Sequence, residues 1–305
     1  MEILLPRLDG GRSPELGNYL DGIVGTRLGG PADQYDDWLP DPLYYEDVRL
    51  DRNKTLLGLN AVWSQGKIAV PSRRSLGVTR SGGTPLLALV LPLDLRIMAH
   101  AVIADFAPRV SALLLRDKVL GFGFREDRVP RFETPGERAE LLEDAARTLF
   151  NLGLGDSITV VDVSGFLGNI RIEQLEQQLR RSGVLDEQIT FLRKIVAVSA
   201  TGLPTIDDAF AFLYNIYLTP VDDALARAEV NFFRYRDEYF LLSGEGVTPV
   251  EQALAALGLS AHHDRRELSP DDAEYRLQER ALAMTGRERE GEVLEELIVQ
   301  ITADG

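Results

Sequence analysis

The chain has no cysteine, so neither a disulfide framework nor thiolate chemistry is open to it. Lysine is scarce: only Lys54, Lys67, Lys118 and Lys194 occur in 305 residues, and the rest of the positive charge is arginine. Genomic base composition accounts for that skew more simply than selection for planar phosphate recognition. Positive charge as a whole is outweighed, 33 basic against 48 acidic residues, for a net charge of −15. This argues against a protein that coats nucleic acid non-specifically, because phosphate contacts need Lys and Arg. A local basic groove stays possible. Long apolar runs are missing too. The longest, around Leu86 to Leu91, is broken by Pro92 and Asp94, far short of a membrane span. The N-terminus, M-E-I-L-L-P-R, lacks the basic-then-apolar order of a secretion signal. The expectation is a cytoplasmic protein with no membrane partner.

What is present suffices for a sizeable core: 45% of residues are hydrophobic, and 305 residues allow one large domain or two smaller ones. Residues 1–55 are rich in Gly, Pro and Asp and read as an irregular N-terminal extension, with only Glu15 to Val24 suited to a short helix. Next comes a basic, turn-rich segment holding Arg73, Arg74 and Arg80, then the strand-like run L-L-A-L-V-L. Three guanidinium groups on one hairpin can meet a triphosphate, although an exposed surface hairpin explains them as well. Leu93 to Leu115 has helical periodicity that Pro108 should kink or split. His100 on that helix reads as structural. Gly136 to Leu152 is an amphipathic helix.

The buried-type strand S-I-T-V-V-D-V-S-G-F follows, with Asp162 at its end. Two helices, then Gly202-Leu203-Pro204, lead to a helical run ending near Pro220 and a shorter helix to about Ala228. Val230 to Leu242, V-N-F-F-R-Y-R-D-E-Y-F-L-L, reads as a β-hairpin around Arg236-Asp237-Glu238. Adjacent carboxylates raise each other's pKa, and a hard cation such as Mg²⁺ would relieve that cost. Taken alone, this stretch reads as a solvated turn before it reads as a metal site. A helix over residues 248–258 and charged, mostly helical residues 270–301 complete the chain.

The order of these pieces resembles the fingers and palm of reverse transcriptases, especially bacterial enzymes related to group II introns and retrons. Asp162-Val-Ser-Gly-Phe166-Leu-Gly-Asn-Ile170 is similar to the family's first acidic motif. Gly202-Leu203-Pro204 with Asn215-Ile216-Tyr217-Leu218 is similar to the second, and Arg234-Tyr235-Arg236-Asp237-Glu238 stands where the family has R-Y-A-D-D. Asp94-Leu-Arg96-Ile, Gly121 to Arg125, and Leu257-Gly258-Leu259 with Arg265 resemble further family motifs, so the likeness runs over roughly residues 60 to 267.

The resemblance implies an α+β fold of right-hand polymerase type: an antiparallel palm sheet backed by helices, with no evident basic thumb. It divides the chain into the extension 1–55, a fingers-like region 56–155, a palm-like region 156–268 and an acidic helical segment 269–305. It implies two-metal phosphoryl transfer with Mg²⁺ or Mn²⁺, with Asp162, Asp237 and Glu238 as catalytic residues and metal ligands. Arg73, Arg74, Arg80, Phe166, Leu167, Gly202 and Asn215 would contact the nucleotide. Partners would be a nucleotide triphosphate and RNA or DNA, and the setting phage defence. Departures are visible. Thr205 and Ile206 follow Pro204 where the family has Gln and Gly, and Phe210-Ala211 stands in place of Ser-Pro. Leu167 replaces an aromatic residue and Glu238 replaces the second Asp. These changes support the alternative: a catalytically inactive scaffold or regulatory subunit that binds a protein partner or a second copy of itself.

Overall fold

The computed structural model describes residues 2–8, 13–20, 51–69, 75–79, 85–89, 91–126, 131–150, 157–198, 208–242, 246–261 and 266–285. Its organising element is a four-stranded antiparallel sheet in the order β10-β7-β9-β8. β7 is Ile158–Asp162, β8 Phe232–Tyr235, β9 Glu238–Leu241 and β10 Arg266–Leu268. The Val230 to Leu242 stretch is the expected hairpin: Phe232 faces Leu241 and Tyr235 faces Glu238 across β8 and β9. β9 then pairs with β7, which sets Asp162 opposite Glu238. The fold is therefore α+β. No described helix is long and apolar enough to cross a membrane.

Side chains of a strand alternate between the two faces of its sheet, and both faces of this one are covered. Val161, Val163, Phe232, Tyr239 and Leu241 join a core built with α2 (Leu93–Ser111), α4 (Ile172–Arg181), α5 (Asp186–Val198), α6 (Asp208–Arg227) and α7 (Val247–Ala256). Ile158, Val160, Phe233, Tyr235 and Phe240 join a second core built with α3 (Pro135–Phe150) and α8 (Pro270–Thr285). The near-continuous apolar run of β7 follows from burial on both faces. Ala139, Ala145 and Ala146 on α3 meet Ala273 and Ala281 on α8, with Leu142, Leu149 and Leu277 filling between them. Elsewhere, α1 (Arg52–Gln65) leads into β2 (Lys67–Ala69), which pairs with β1 (Glu2–Leu4). β3 (Ser75–Thr79) pairs with β4 (Pro85–Leu89), and β5 (Phe124–Arg125) with β6 (Arg131–Phe132).

Several elements differ from the sequence-based expectation. α1, β1 and β10 were not foreseen. Pro108 lies inside α2 without splitting it. Pro220 lies inside α6, which runs as one helix to Arg227. A proline in a helix interior leaves the carbonyl four residues back without its donor. Here the Thr219 hydroxyl donates to the Ile216 carbonyl at 2.8 Å and fills the gap. Gly202-Leu203-Pro204, Arg265 and residues 286–305 lie outside the described residues.

A buried polar network fixes the hairpin to its surroundings. Arg234 on β8 is fully buried. Its Nε and Nη2 donate to the two oxygens of Asp222 on α6 at 2.8 and 2.6 Å. Its Nη1 donates to the Asn215 side-chain oxygen at 2.8 Å and to the Arg236 carbonyl in the turn at 2.9 Å. Asn215 in turn donates through Nδ2 to the Gly121 carbonyl at 2.8 Å. Burial opposes the Arg234 charge, but the Asp222 carboxylate holds the guanidinium protonated, above its ordinary pKa. One ion pair thus joins α6, the hairpin and the segment before β5.

The two helices of the second core have built starts. Thr134 and Glu137 form a reciprocal capping box at α3: the Thr134 amide donates to Glu137 Oε2 at 2.8 Å, and the Glu137 amide donates to Thr134 Oγ1 at 3.3 Å. Arg131 adds a two-pronged contact to the same carboxylate, 2.6 and 2.9 Å. Ser269 caps α8, accepting from the Asp272 amide at 3.1 Å.

Two outcomes are expected. Asp222→Ala leaves a buried guanidinium without its carboxylate and should cost about 3–5 kcal/mol in denaturant unfolding, while Asp223→Ala on the exposed side of α6 should stay within about 0.5 kcal/mol. Hydrogen bonds from Arg131 chiefly, with those from Thr134, lower the Glu137 pKa to about 2 from 4.5. Its contribution to stability is then complete above about pH 4.5 and is lost as pH falls through about 2. Glu137→Gln should flatten the acid limb of a melting-temperature profile across that window.

Candidate functional site

The site predicted from sequence lies at one end of the four-stranded sheet. Asp162 closes β7, partly exposed. The next amide, Val163, donates to the Asp237 carbonyl at 2.9 Å. The first acidic motif and the acidic hairpin are therefore adjacent, as the strand order requires. Only Arg236 and Asp237 form the turn; Glu238 is already the first residue of β9. Arg236 has φ 57°, a left-handed value that two-residue hairpin turns call for and that glycine normally supplies. Its guanidinium offsets some of that strain by lying 4.9 Å from the Phe122 ring centre and 5.6 Å from that of Tyr235. Phe122 is also left-handed, at φ 54°, and Arg138 lies 4.5 Å from the same ring. The Asn215 bond to Gly121, whose φ is 86°, holds this second strained segment against the hairpin.

The three carboxylates do not converge. Asp162 and Glu238 are cross-strand partners on the face covered by α3 and α8. Asp237 sits in the turn between β8 and β9. Glu238 is 3% exposed. One of its oxygens is ion-paired with Arg276 and the other with Arg280, one helical turn apart on α8. Burial pushes the Glu238 carboxyl up, the two guanidiniums pull it back, and Asp162 pushes it up again. Arg280 also lies 5.1 Å from the Tyr235 ring centre and 5.9 Å from that of Phe240. Mg²⁺ takes carboxylate oxygens in near-octahedral geometry, and both Glu238 oxygens are committed to arginine. Among the described residues no group of three or more His, Cys, Asp and Glu side chains is placed to hold a metal ion. The described residues do not fit a two-metal centre.

The residues that the resemblance would place against a nucleotide fall into three groups. Arg73, Arg74, Arg80 and Gly202 lie outside the described residues. Leu167 lies in a 3-10 turn, Phe166–Asn169, with its side chain outside them as well. Phe166 and Asn215 are described, and both are buried. The Phe166 ring packs against Tyr214 and Tyr217, 5.9 and 6.0 Å between centres. Asn215 spends its amide on Gly121 and its side-chain oxygen on Arg234. Both are buried among core residues. His100 sits against Tyr19 and Phe132, consistent with a structural role. Sequence reasoning missed Arg276 and Arg280. Their signal was a four-residue spacing on a helix whose apolar residues, Leu277 and Ala281, directly follow them.

No protein-family model matches the chain, and no curated protein matches it.

The Glu238 contact should register as coupling rather than as two independent losses. Arg276→Ala should cost more in the native background than in a Glu238→Gln background, by about 0.5–3 kcal/mol in a urea double-mutant cycle. Strictly additive costs would show that the contact contributes nothing.

Proposed function

We propose that the protein is a non-catalytic scaffold or regulatory subunit built on a reverse-transcriptase-like palm, and that it acts by binding a protein partner. The observation that carries this reading is the covering of the acidic end of the sheet. A polymerase needs the face bearing its carboxylates open to primer, template and nucleotide, with the carboxylate oxygens available to metal. In this chain that face carries α3 and α8. The Glu238 carboxylate is paired with Arg276 and Arg280. Phe166 and Asn215, which the family resemblance would turn toward a nucleotide, are core residues. The acidic balance of the chain, −15 overall, fits a protein partner better than a nucleic-acid duplex.

A second reading, divergent nucleotide addition with Mg²⁺ or Mn²⁺, draws support from one observation. Asp162 sits directly beside the hairpin turn, tied by the bond from the Val163 amide to the Asp237 carbonyl. The two readings separate cleanly in one assay. Purified full-length protein given primed and unprimed RNA or DNA, all eight nucleotides and either metal should incorporate nothing, and calorimetry should register no Mg²⁺-nucleotide binding. Incorporation abolished by Asp162→Ala or Asp237→Ala would overturn the scaffold reading in favour of the enzyme.

A further inference from the structure

We propose that Arg276 and Arg280 act as a built-in cation, standing at the acidic end of the sheet in place of a bound metal ion. The inference rests on the non-catalytic reading above and gives the site its chemical logic. Asp162 and Glu238 are register partners on adjacent antiparallel strands. Like charges directly opposite on one face of a sheet are destabilising, and here one member is 3% exposed. Such a pair requires positive charge nearby. The chain provides it from α8. β10 pairs beside β7, with Leu268 opposite Ile158. Ser269 caps the helix that follows, and Ala273, Leu277 and Ala281 seat that helix against α3 and the sheet. Arg276 and Arg280 share one side of the helix, because residues four apart are neighbours on its surface. Each takes a different oxygen of Glu238.

The arrangement differs from a salt bridge on an open surface in two ways. Both arginine side chains are about three-quarters buried, at 23% exposure. Arg280 also lies over the rings of Tyr235 and Phe240, so its planar group is held by stacking as well as by charge. Guanidinium groups stay charged across the whole working pH range. Tethered to a packed helix, they neutralise Glu238 with no ion to be captured. The cost is access, since α8 lies over the face an incoming ligand would use.

The test is to remove the arginines and offer a metal. Thermal unfolding of full-length R276A/R280A should show Mn²⁺ stabilisation, a rise of about 2–4 °C or more at saturating metal. The native chain and E238Q/R276A/R280A should both be unmoved by the same titration. No response from folded R276A/R280A overturns the proposal. An equal response from the triple variant also overturns it, because the metal is then binding elsewhere on the acidic surface. If R276A/R280A does not fold, R276Q/R280Q, closer in side-chain volume, undergoes the same titration. Failure of both to fold even with Mn²⁺ present counts against the proposal, since a cation should restore them. The inference can fail separately from the reading beneath it. Nucleotide incorporation by the native chain would overturn the scaffold reading, whereas an unresponsive arginine variant overturns only the built-in cation.

Discussion

Arg234 is a cation sealed inside an apolar layer, and much of the architecture exists to satisfy it. A buried charge is tolerable only when paired and fully hydrogen-bonded. Arg234 meets both conditions through Asp222, Asn215 and the Arg236 carbonyl. Those acceptors come from α6 and from the hairpin turn itself, so the same bonds set the distance between helix and sheet. Through Asn215 the constraint reaches Gly121. There the backbone turns left-handed for two residues and delivers Phe122 beneath Arg236. The strained turn of the hairpin thus rests on an ion pair on one side and a ring on the other. Apolar packing alone could hold β8 against α6 in more than one register, whereas a two-pronged guanidinium contact selects one.

On the far face the sheet answers a related problem differently. Asp162 and Glu238 are brought together by the register of β7 and β9, and the cations that meet Glu238 come from outside the sheet. The offset comes from α8, which depends on β10 for its landing place and on α3 for its seat. Both charged clusters are therefore solved by arginines, from opposite sides of one hairpin. Arg234 points into α6, and Arg276 and Arg280 point in from α8. This division explains why the three neighbouring carboxylates fail to act as a group. Asp162 and Glu238 share the face under α3 and α8, while Asp237 sits in the turn.

The legible part of this arrangement was local. Alternation and β-branched residues marked β7 and the hairpin, and an Asp at a strand end beside an acidic turn was readable as a meeting point. The adjacency of Asp162 and Asp237 bears out that much. The roles were harder, because role depends on burial, which a short motif does not encode. Asn215 and Arg234 stood out as special residues, yet they turn inward to each other. Phe166 is aromatic for packing against Tyr214 and Tyr217. Pro220 misled as a helix end because its remedy, the Thr219 hydroxyl, is one residue away and costs no change in pattern. Arg276 and Arg280 escaped notice for a different reason. Arginines on a charged helix read as a solvated face, and it is the three-residue strand β10, together with the packing on α3, that sets this helix across the sheet. A strand of two polar residues and one leucine carries no usable periodicity.

The cost of clustering carboxylates can be met by an ion that comes and goes or by side chains that stay. An exchangeable ion keeps the face open, which catalysis requires, but leaves the empty site unstable. Tethered arginines stabilise the site at all times and close it. Glu238 reaches from β9 to two positions one turn apart on α8. The Glu238 end of this sheet has exchanged access for permanence: both carboxylate oxygens are held by arginines of a helix packed across the strands.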